Sequence, residues 1–240
     1  MDILSIGNSF SQDAQRYLHS IARADGVELN CFNLYIGGCD LSRHYRNMLG
    51  DREEYMLQVN GNPTGFFVTM KEALLNRDWD VVTLQQASHG STDYGKFQPY
   101  IGKLAEYVRV YAPKAKLIIH ETWAYEEDSP KLNNLMNYSH ADEMLSDIKI
   151  AYRKAFEDVR ADGFIPSGEL FGLLLKNGIE KVHRDTFHAS LGLGRYALGL
   201  LWYRVLTGNK ITNNSFSDFD EEVSYAEIEI VKNAVEEICK

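Results

Sequence analysis

The chain opens on a short apolar run, Ile3-Leu4-Ser5-Ile6, closed by Gly7. Directly afterwards the apolar period changes. Ala14, Tyr17, Leu18, Ile21 and Ala22 recur at spacings of three and four, which places them on one face of a helix over residues 12–24. Gly26 ends that helix. The same change of period repeats down the chain. Strands are expected at 28–36, 79–84, 116–120 and near Phe164-Ile165. Helices are expected at about 65–77, 98–111, 138–161, 167–176, 191–207 and 223–238. Residues 42–63 read as polar and irregular, with room for a short hairpin around Asn60-Gly61-Asn62-Pro63, and 124–136 reads as a long loop.

Strands separated by helices in this order require parallel crossovers, so the fold class is α/β, a three-layer α/β/α sandwich. No repeat, low-complexity tract or interdomain linker interrupts the pattern, and 240 residues suit one domain over 1–240. Ligands in such sheets sit beyond the carboxyl ends of the strands. Four polar segments of interest all fall at those ends.

Composition narrows the partners. Apolar residues make up 45% and charged residues 25%, ordinary values for a soluble globular protein. No apolar run is long enough to cross a bilayer. The N-terminus lacks a basic segment and a small-residue cleavage site, so it reads as a strand rather than a secretion signal. A cytoplasmic location is expected on that basis, or a secreted or periplasmic one if a signal peptide has been removed. The net charge of −9 opposes binding to nucleic acid or an anionic membrane. It also disfavours a strongly anionic substrate, unless a local basic patch reverses the balance. Cys31, Cys39 and Cys239 are too few, and wrongly spaced, for a disulfide framework or a zinc site.

The first chemical segment is Gly7-Asn8-Ser9-Phe10-Ser11, between the first strand and a helix. A serine there brings its hydroxyl to the strand's carboxyl edge, where helix N–H groups favour developing negative charge. Ser9 is a candidate nucleophile, while Ser9 or Ser11 could equally cap the helix. The second is Asp185-Thr186-Phe187-His188, in which an acid three residues before a histidine can orient it as a base. Asp185 could instead cap the next helix. The third is Gly38, where a bare backbone can turn sharply and offer an N–H to an oxyanion. The fourth is Gln85-Gln86, whose amides at a strand end could donate to the same oxyanion.

Taken in order, these segments resemble the blocks of the SGNH (GDSL-like) hydrolase superfamily, over most of the chain. Gly-Asn-Ser-Phe at the start, Leu-Gln-Gln-Ala-Ser in the middle and His188-Ala-Ser before Gly194-Arg195-Tyr196 resemble a branch of it classed as a domain of unknown function. The resemblance implies a flavodoxin-like parallel sheet of about five strands in the order 2-1-3-4-5. It carries Ser9 over as nucleophile, His188 as base and Asp185 as the orienting acid. The oxyanion would be held by the N–H groups of Ser9 and Gly38 and by one amide side chain. Two departures stand out: Asn8 occupies the place of the usual Asp, and the Gly-x-Asn-Asp block is absent. Sialate-esterase-like relatives carry glutamine in place of that asparagine, in a Gln-Gly-Glu that resembles Gln85-Gln86-Ala87. Gln85 is therefore preferred to Gln86 as the third donor.

The implied reaction is acyl transfer from an ester to water through an acyl-enzyme, with no metal or organic cofactor. An O-acetyl or other short acyl group on a carbohydrate is the first substrate expected. Trp123, after His120-Glu121-Thr122, is a candidate wall of the substrate site, His89 and His120 could border it, and Tyr35, Tyr45 and Tyr94 could stack on a sugar. Two other classes compete. A catalytically silent carbohydrate-binding or structural protein would retain the fold without serine reactivity. A phosphate-binding flavodoxin-like module would use Gly7–Ser11 as an anion cradle and leave Asp185 and His188 without a role.

Overall fold

Seven strands form one sheet in the computed structural model, which describes residues 1–240. They are β1 (Asp2–Gly7), β2 (Asn30–Tyr35), β3 (Tyr55–Val59), β4 (Asn62–Val68), β5 (Val81–Leu84), β6 (Lys116–Glu121) and β7 (Gly163–Pro166). Their order is β4-β3-β2-β1-β5-β6-β7. The five strands from β2 to β7 in that order are parallel, and by themselves they have the 2-1-3-4-5 arrangement. The sheet has seven strands rather than about five because β3 and β4 add an antiparallel hairpin at the β2 edge. Its two-residue turn is Asn60-Gly61, with φ of 49° and 78°, the left-handed pair that a tight hairpin requires. The helix expected from about 65 begins only at Met70, because Phe66, Phe67 and Val68, which run on into it as an apolar stretch, belong to β4. An edge strand tolerates Pro63, whose missing N–H would be fatal in the centre.

The helices are α1 (Ser9–Gln15), α2 (Leu18–Ala24), α3 (Leu41–Leu49), α4 (Met70–Leu75), α5 (Tyr100–Tyr111), α6 (Pro130–Asn134), α7 (Ala141–Asp158), α8 (Ser167–Lys176), α9 (Leu193–Thr207) and α10 (Tyr225–Ile238). The single helix expected over 12–24 is two. The break falls at Tyr17, whose hydroxyl donates to the Leu191 carbonyl at 2.6 Å and accepts the Asp220 N–H at 2.7 Å. Two further helices lie in stretches that read as irregular. α3 starts at Asp40, which accepts the Arg43 N–H at 2.7 Å, and α6 starts at Ser129 with Pro130 in its first turn.

Alternation along the strands divides the core into two layers. Leu4, Ile6, Phe32, Leu34, Val82, Leu84, Leu117 and Ile119 pack under α3, α4, α5 and α7 in a cluster of 30 buried residues. Ile3, Cys31, Val81, Ile118 and Ile165 face α1, α2, α8, α9 and α10 in a cluster of 33. The near equality of the two clusters is the signature of a sheet covered on both faces. α9 is buried on nearly every side from Leu193 to Tyr203, which explains its weak amphipathic pattern. No helix is long and apolar enough to cross a membrane.

Candidate active site

Gly7 ends β1, and its missing side chain is a steric requirement. A Cβ there would lie 2.2 Å from the Ser11 hydroxyl oxygen, so only glycine lets α1 begin so close to the strand. Asn8 caps the helix: its Oδ1 accepts the Phe10 N–H at 3.0 Å. Ser11 closes the cap in return, accepting the Asn8 N–H at 3.0 Å and donating to Asn33 Oδ1 at 2.8 Å. With capping assigned to Asn8 and Ser11, the Ser9 hydroxyl is free. It donates to His188 Nε2 at 2.9 Å.

His188 arrives on a tight loop. Ser190 N–H donates to the Val182 carbonyl at 2.8 Å and Arg184 N–H to the His188 carbonyl at 3.0 Å, closing residues 182–190 into a hairpin-like turn. Thr186 sits at its tip with φ of 71°. That turn brings Asp185 Oδ2 to 2.7 Å from His188 Nδ1, while Oδ1 accepts the His188 backbone N–H at 2.8 Å. Asp185 is not the cap of α9; Gly192 holds that position. Partial burial pulls the Asp185 pKa upward, but hydrogen bonds from the His188 ring and backbone outweigh it and hold the carboxyl below its usual range. An ionised carboxylate keeps the imidazole proton on Nδ1, so Nε2 presents a lone pair to Ser9.

Buried charges anchor this loop to α1. Asp13 is fully buried; Arg184 reaches both its oxygens at 3.0 Å and Arg195 Nε reaches Oδ1 at 2.8 Å. Arg195 and Arg16 continue the pairing to Asp220. Trp123 is the second anchor, and here the expectation is corrected. It does not wall the cavity but is fully buried, edge-on to Phe10 at 4.2 Å, with its indole N–H donated to the Phe187 carbonyl at 2.8 Å. The N–H needs a partner inside the core, and Phe187 supplies it.

Ser9, Gly38 and His188 line a common cavity of about 610 Å³. Gly38 has φ of 63°, and a Cβ there would meet nothing within 4 Å, so backbone conformation rather than crowding demands glycine. The N–H groups of Ser9 and Gly38 donate to no backbone or side-chain acceptor outside regular elements. The two glutamines do not join them. Gln85 donates to Asn8 Oδ1 at 2.8 Å and accepts from His120 Nδ1 at 2.8 Å. Gln86 accepts from the N–H groups of Leu41 and Ala87 at 3.0 and 2.9 Å and donates to the Lys96 carbonyl at 2.9 Å. Both are buried polar groups satisfied by protein partners, and neither lines the cavity that holds Ser9.

His120 is likewise part of the support, not the border. Burial pushes its pKa down to about 3, so the ring is neutral, donating to Gln85 and accepting from Ser167 Oγ at 3.0 Å. His89 and Tyr35 do line the cavity, whereas Tyr45 and Tyr94 lie elsewhere. Lys96, Lys131, Arg184, Tyr125 and Phe187 are among the further wall residues, none of them given a role from the sequence. Arg184 had one signal, its place beside Asp185. Lys96 and Lys131 had none, since an exposed lysine in a polar stretch reads as solvated.

A family model described as a domain of unknown function, DUF4886, matches residues 2–238. A DUF4886 family protein from Bacteroides uniformis ATCC 8492 superposes with a TM-score of 0.91 at 30% identity, covering 99% of this chain and 93% of its own. A candidate SGNH hydrolase from Slackia heliotrinireducens has a TM-score of 0.62 at 23% identity, covering 86% of this chain and 98% of its own. The psychrotrophic esterase EstA from Pseudoalteromonas sp. has a TM-score of 0.53 at 13% identity, covering 86% of this chain and 97% of its own. A search of the curated proteins gave no match. At such low identities the last two structures speak to architecture, and the architecture is that of the SGNH and GDSL-like hydrolases.

Proposed function

The chain belongs to the DUF4886 family, and from that premise we propose that it is a serine esterase with Ser9 as nucleophile, His188 as base and Asp185 as orienting acid. The observation that carries the reading is the unbroken hydrogen-bond chain from Ser9 through His188 to Asp185, at 2.9 and 2.7 Å, opening on a cavity. Ser9 lies 179 residues from His188 in sequence, so their pairing is not a local accident.

In the first step His188 Nε2 takes the Ser9 proton as Oγ bonds to the ester carbonyl carbon. The carbonyl oxygen becomes the oxyanion and is met by the Ser9 and Gly38 N–H groups. As the tetrahedral adduct collapses, the ester C–O bond breaks and the imidazolium returns its proton to the leaving alcohol. Water then repeats the sequence on the acyl-enzyme: His188 deprotonates it, the acid is released, and Ser9 regains its hydrogen. Asp185 remains ionised throughout and stabilises the imidazolium. None of these steps calls for a metal or organic cofactor.

The aromatic and polar cavity walls support a short acyl ester of a small or carbohydrate alcohol as substrate. Turnover of p-nitrophenyl acetate by the purified chain, compared with Ser9→Ala, tests the class. A mapped fluorophosphonate adduct tests the residue. Loss of turnover in the variant and an adduct on Ser9 are expected. Equal rates for the two proteins would overturn the reading in favour of a silent binding protein.

A further inference from the structure

Acidic residues outnumber basic ones in this chain, 34 to 25, yet the cavity that holds Ser9 reverses the balance. Its lining includes Lys96, Lys131 and Arg184 and contains no aspartate or glutamate. Lys96 and Lys131 form no ion pair with any carboxylate. Lys96 Nζ is held only by the His89 carbonyl at 3.5 Å. Lys131 Nζ rests over the Phe187 ring, 3.3 Å from its centroid, and Phe187 is the residue next to His188. Arg184 does have a counter-charge, Asp13, but shares it with Arg195, and Asp220 pairs with Arg195 and Arg16, so two carboxylates answer three guanidinium groups there.

Ammonium groups without a carboxylate partner in a concave site raise the local concentration of anions and reward a ligand that brings the missing charge. The Lys131 placement is specific: the ring of Phe187 fixes the ammonium beside the proposed base rather than leaving it to wander in solvent. We infer that the ester taken by this site carries an anionic group, a carboxylate on its alcohol or on its acyl part, received by Lys96 and Lys131. The inference rests on the esterase reading and deepens it by naming the charge of the substrate. It takes up the exception that the net charge left open, in which a local basic patch rather than the chain's total decides what the cavity meets.

Two pairs of probes test it with the full chain. On the alcohol side, acetate release is compared between O-acetylated methyl glucuronoside and O-acetylated methyl glucoside. On the acyl side, p-nitrophenyl hemisuccinate is compared with p-nitrophenyl butyrate. The anionic member of at least one pair should show a kcat/KM about tenfold higher at low salt, as one charge-assisted contact implies. That ratio should shrink towards parity by about 0.5 M salt, where screening is strong. Lys96→Gln and Lys131→Gln should each lower the ratio several-fold, mainly through KM. The pair that responds tells which side of the ester bears the charge. Parity in both pairs, with clear turnover and a Ser9 adduct, would overturn the inference and leave the esterase standing. A preference that survives in the double lysine variant would overturn the assignment too. Absence of both turnover and adduct would instead remove the esterase reading, and this inference with it.

Discussion

The side-chain amide of Asn8 donates to the carbonyl of Cys39 at 3.0 Å, and this bond ties the turn bearing Ser9 to the loop bearing Gly38. The two backbone N–H groups proposed for the oxyanion come from those two segments, so their separation is set by a neutral amide rather than by either serine or glycine. The same side chain accepts from Phe10 N–H and from Gln85. Asn8→Asp keeps both acceptances and loses the donation, leaving a buried carboxylate against a carbonyl oxygen. We expect a kcat lower by about tenfold or more, as for a displaced oxyanion donor. Stability should fall by about 2 kcal/mol from the unsatisfied carbonyl. Steady-state kinetics and thermal melts of the variant check both.

Ser9 and Ser11 lie on the same turn but face different environments. Ser11 is fully buried and bonded to Asn8 and Asn33, and takes no part in the proposed chemistry. Ser11→Ala should retain fluorophosphonate labelling while costing about 1–2 kcal/mol for the lost buried hydrogen bonds. A labelled Ser11, or labelling abolished in Ser11→Ala while the protein stays folded, would relocate the nucleophile.

Asp13 holds the His188 loop from a distance. Its replacement by Asn preserves shape but leaves Arg184 and Arg195 without their common counter-charge. Breaking a buried pair in this way costs about 3 kcal/mol. Loss of the loop's anchor should also reduce kcat by about tenfold with a smaller change in KM, since geometry at the reacting centre is affected rather than the cavity walls. Denaturant melts and steady-state kinetics of Asp13→Asn separate the two effects.

Glu121, at the end of β6, makes stability depend on pH. Burial first, and the nearby Glu169 second, raise its pKa to about 8. The native chain therefore keeps a proton there that the unfolded chain gives up above about pH 4.5. Between those values folding takes up a proton, so stability falls as pH rises towards 8. Glu121→Gln, which can still accept the Glu169 N–H, removes this dependence. Relative to the natural chain it should be more stable by about 3 kcal/mol at pH 7, and nearly equal at pH 5. Melting temperatures across this range would show the two curves converging on the acid side; parallel curves would contradict the account.

Several features were readable without coordinates because their causes are local. α8 follows the expected 167–176 without adjustment, since Ser167 opens an uninterrupted helical period and Asn177-Gly178 stops it. The hairpin turn at Asn60-Gly61 declares itself through residues that tolerate positive φ. Other features were hidden for equally physical reasons. α3 has few apolar residues, and its Asp40 cap looks like any polar loop residue. β4 is exposed along most of its length and so lacks the alternation that reveals a half-buried strand.

Ser9, Asp185, His188 and Gly38 were candidates from short-range devices, a strand end, a three-residue spacing and a turn glycine, read together with the family resemblance. The structure brings Ser9, Asp185 and His188 into one hydrogen-bonded chain. Gln85, Gln86 and Trp123 misled because residue type and position at a strand end say nothing of what a side chain will bond. Gln85 is claimed by Asn8 and His120, 77 and 35 residues away. Trp123 is claimed by Phe187, 64 residues on. Periodicity, capping and turn chemistry act over a few neighbours, and so the order of elements and the outline of the site belong to the sequence. The partner of a buried polar group and the charge of a cavity depend on which distant segments packing brings together. For that reason only the tertiary structure decided that the amides are taken by buried protein partners and that an acidic chain has a cavity lined by basic residues.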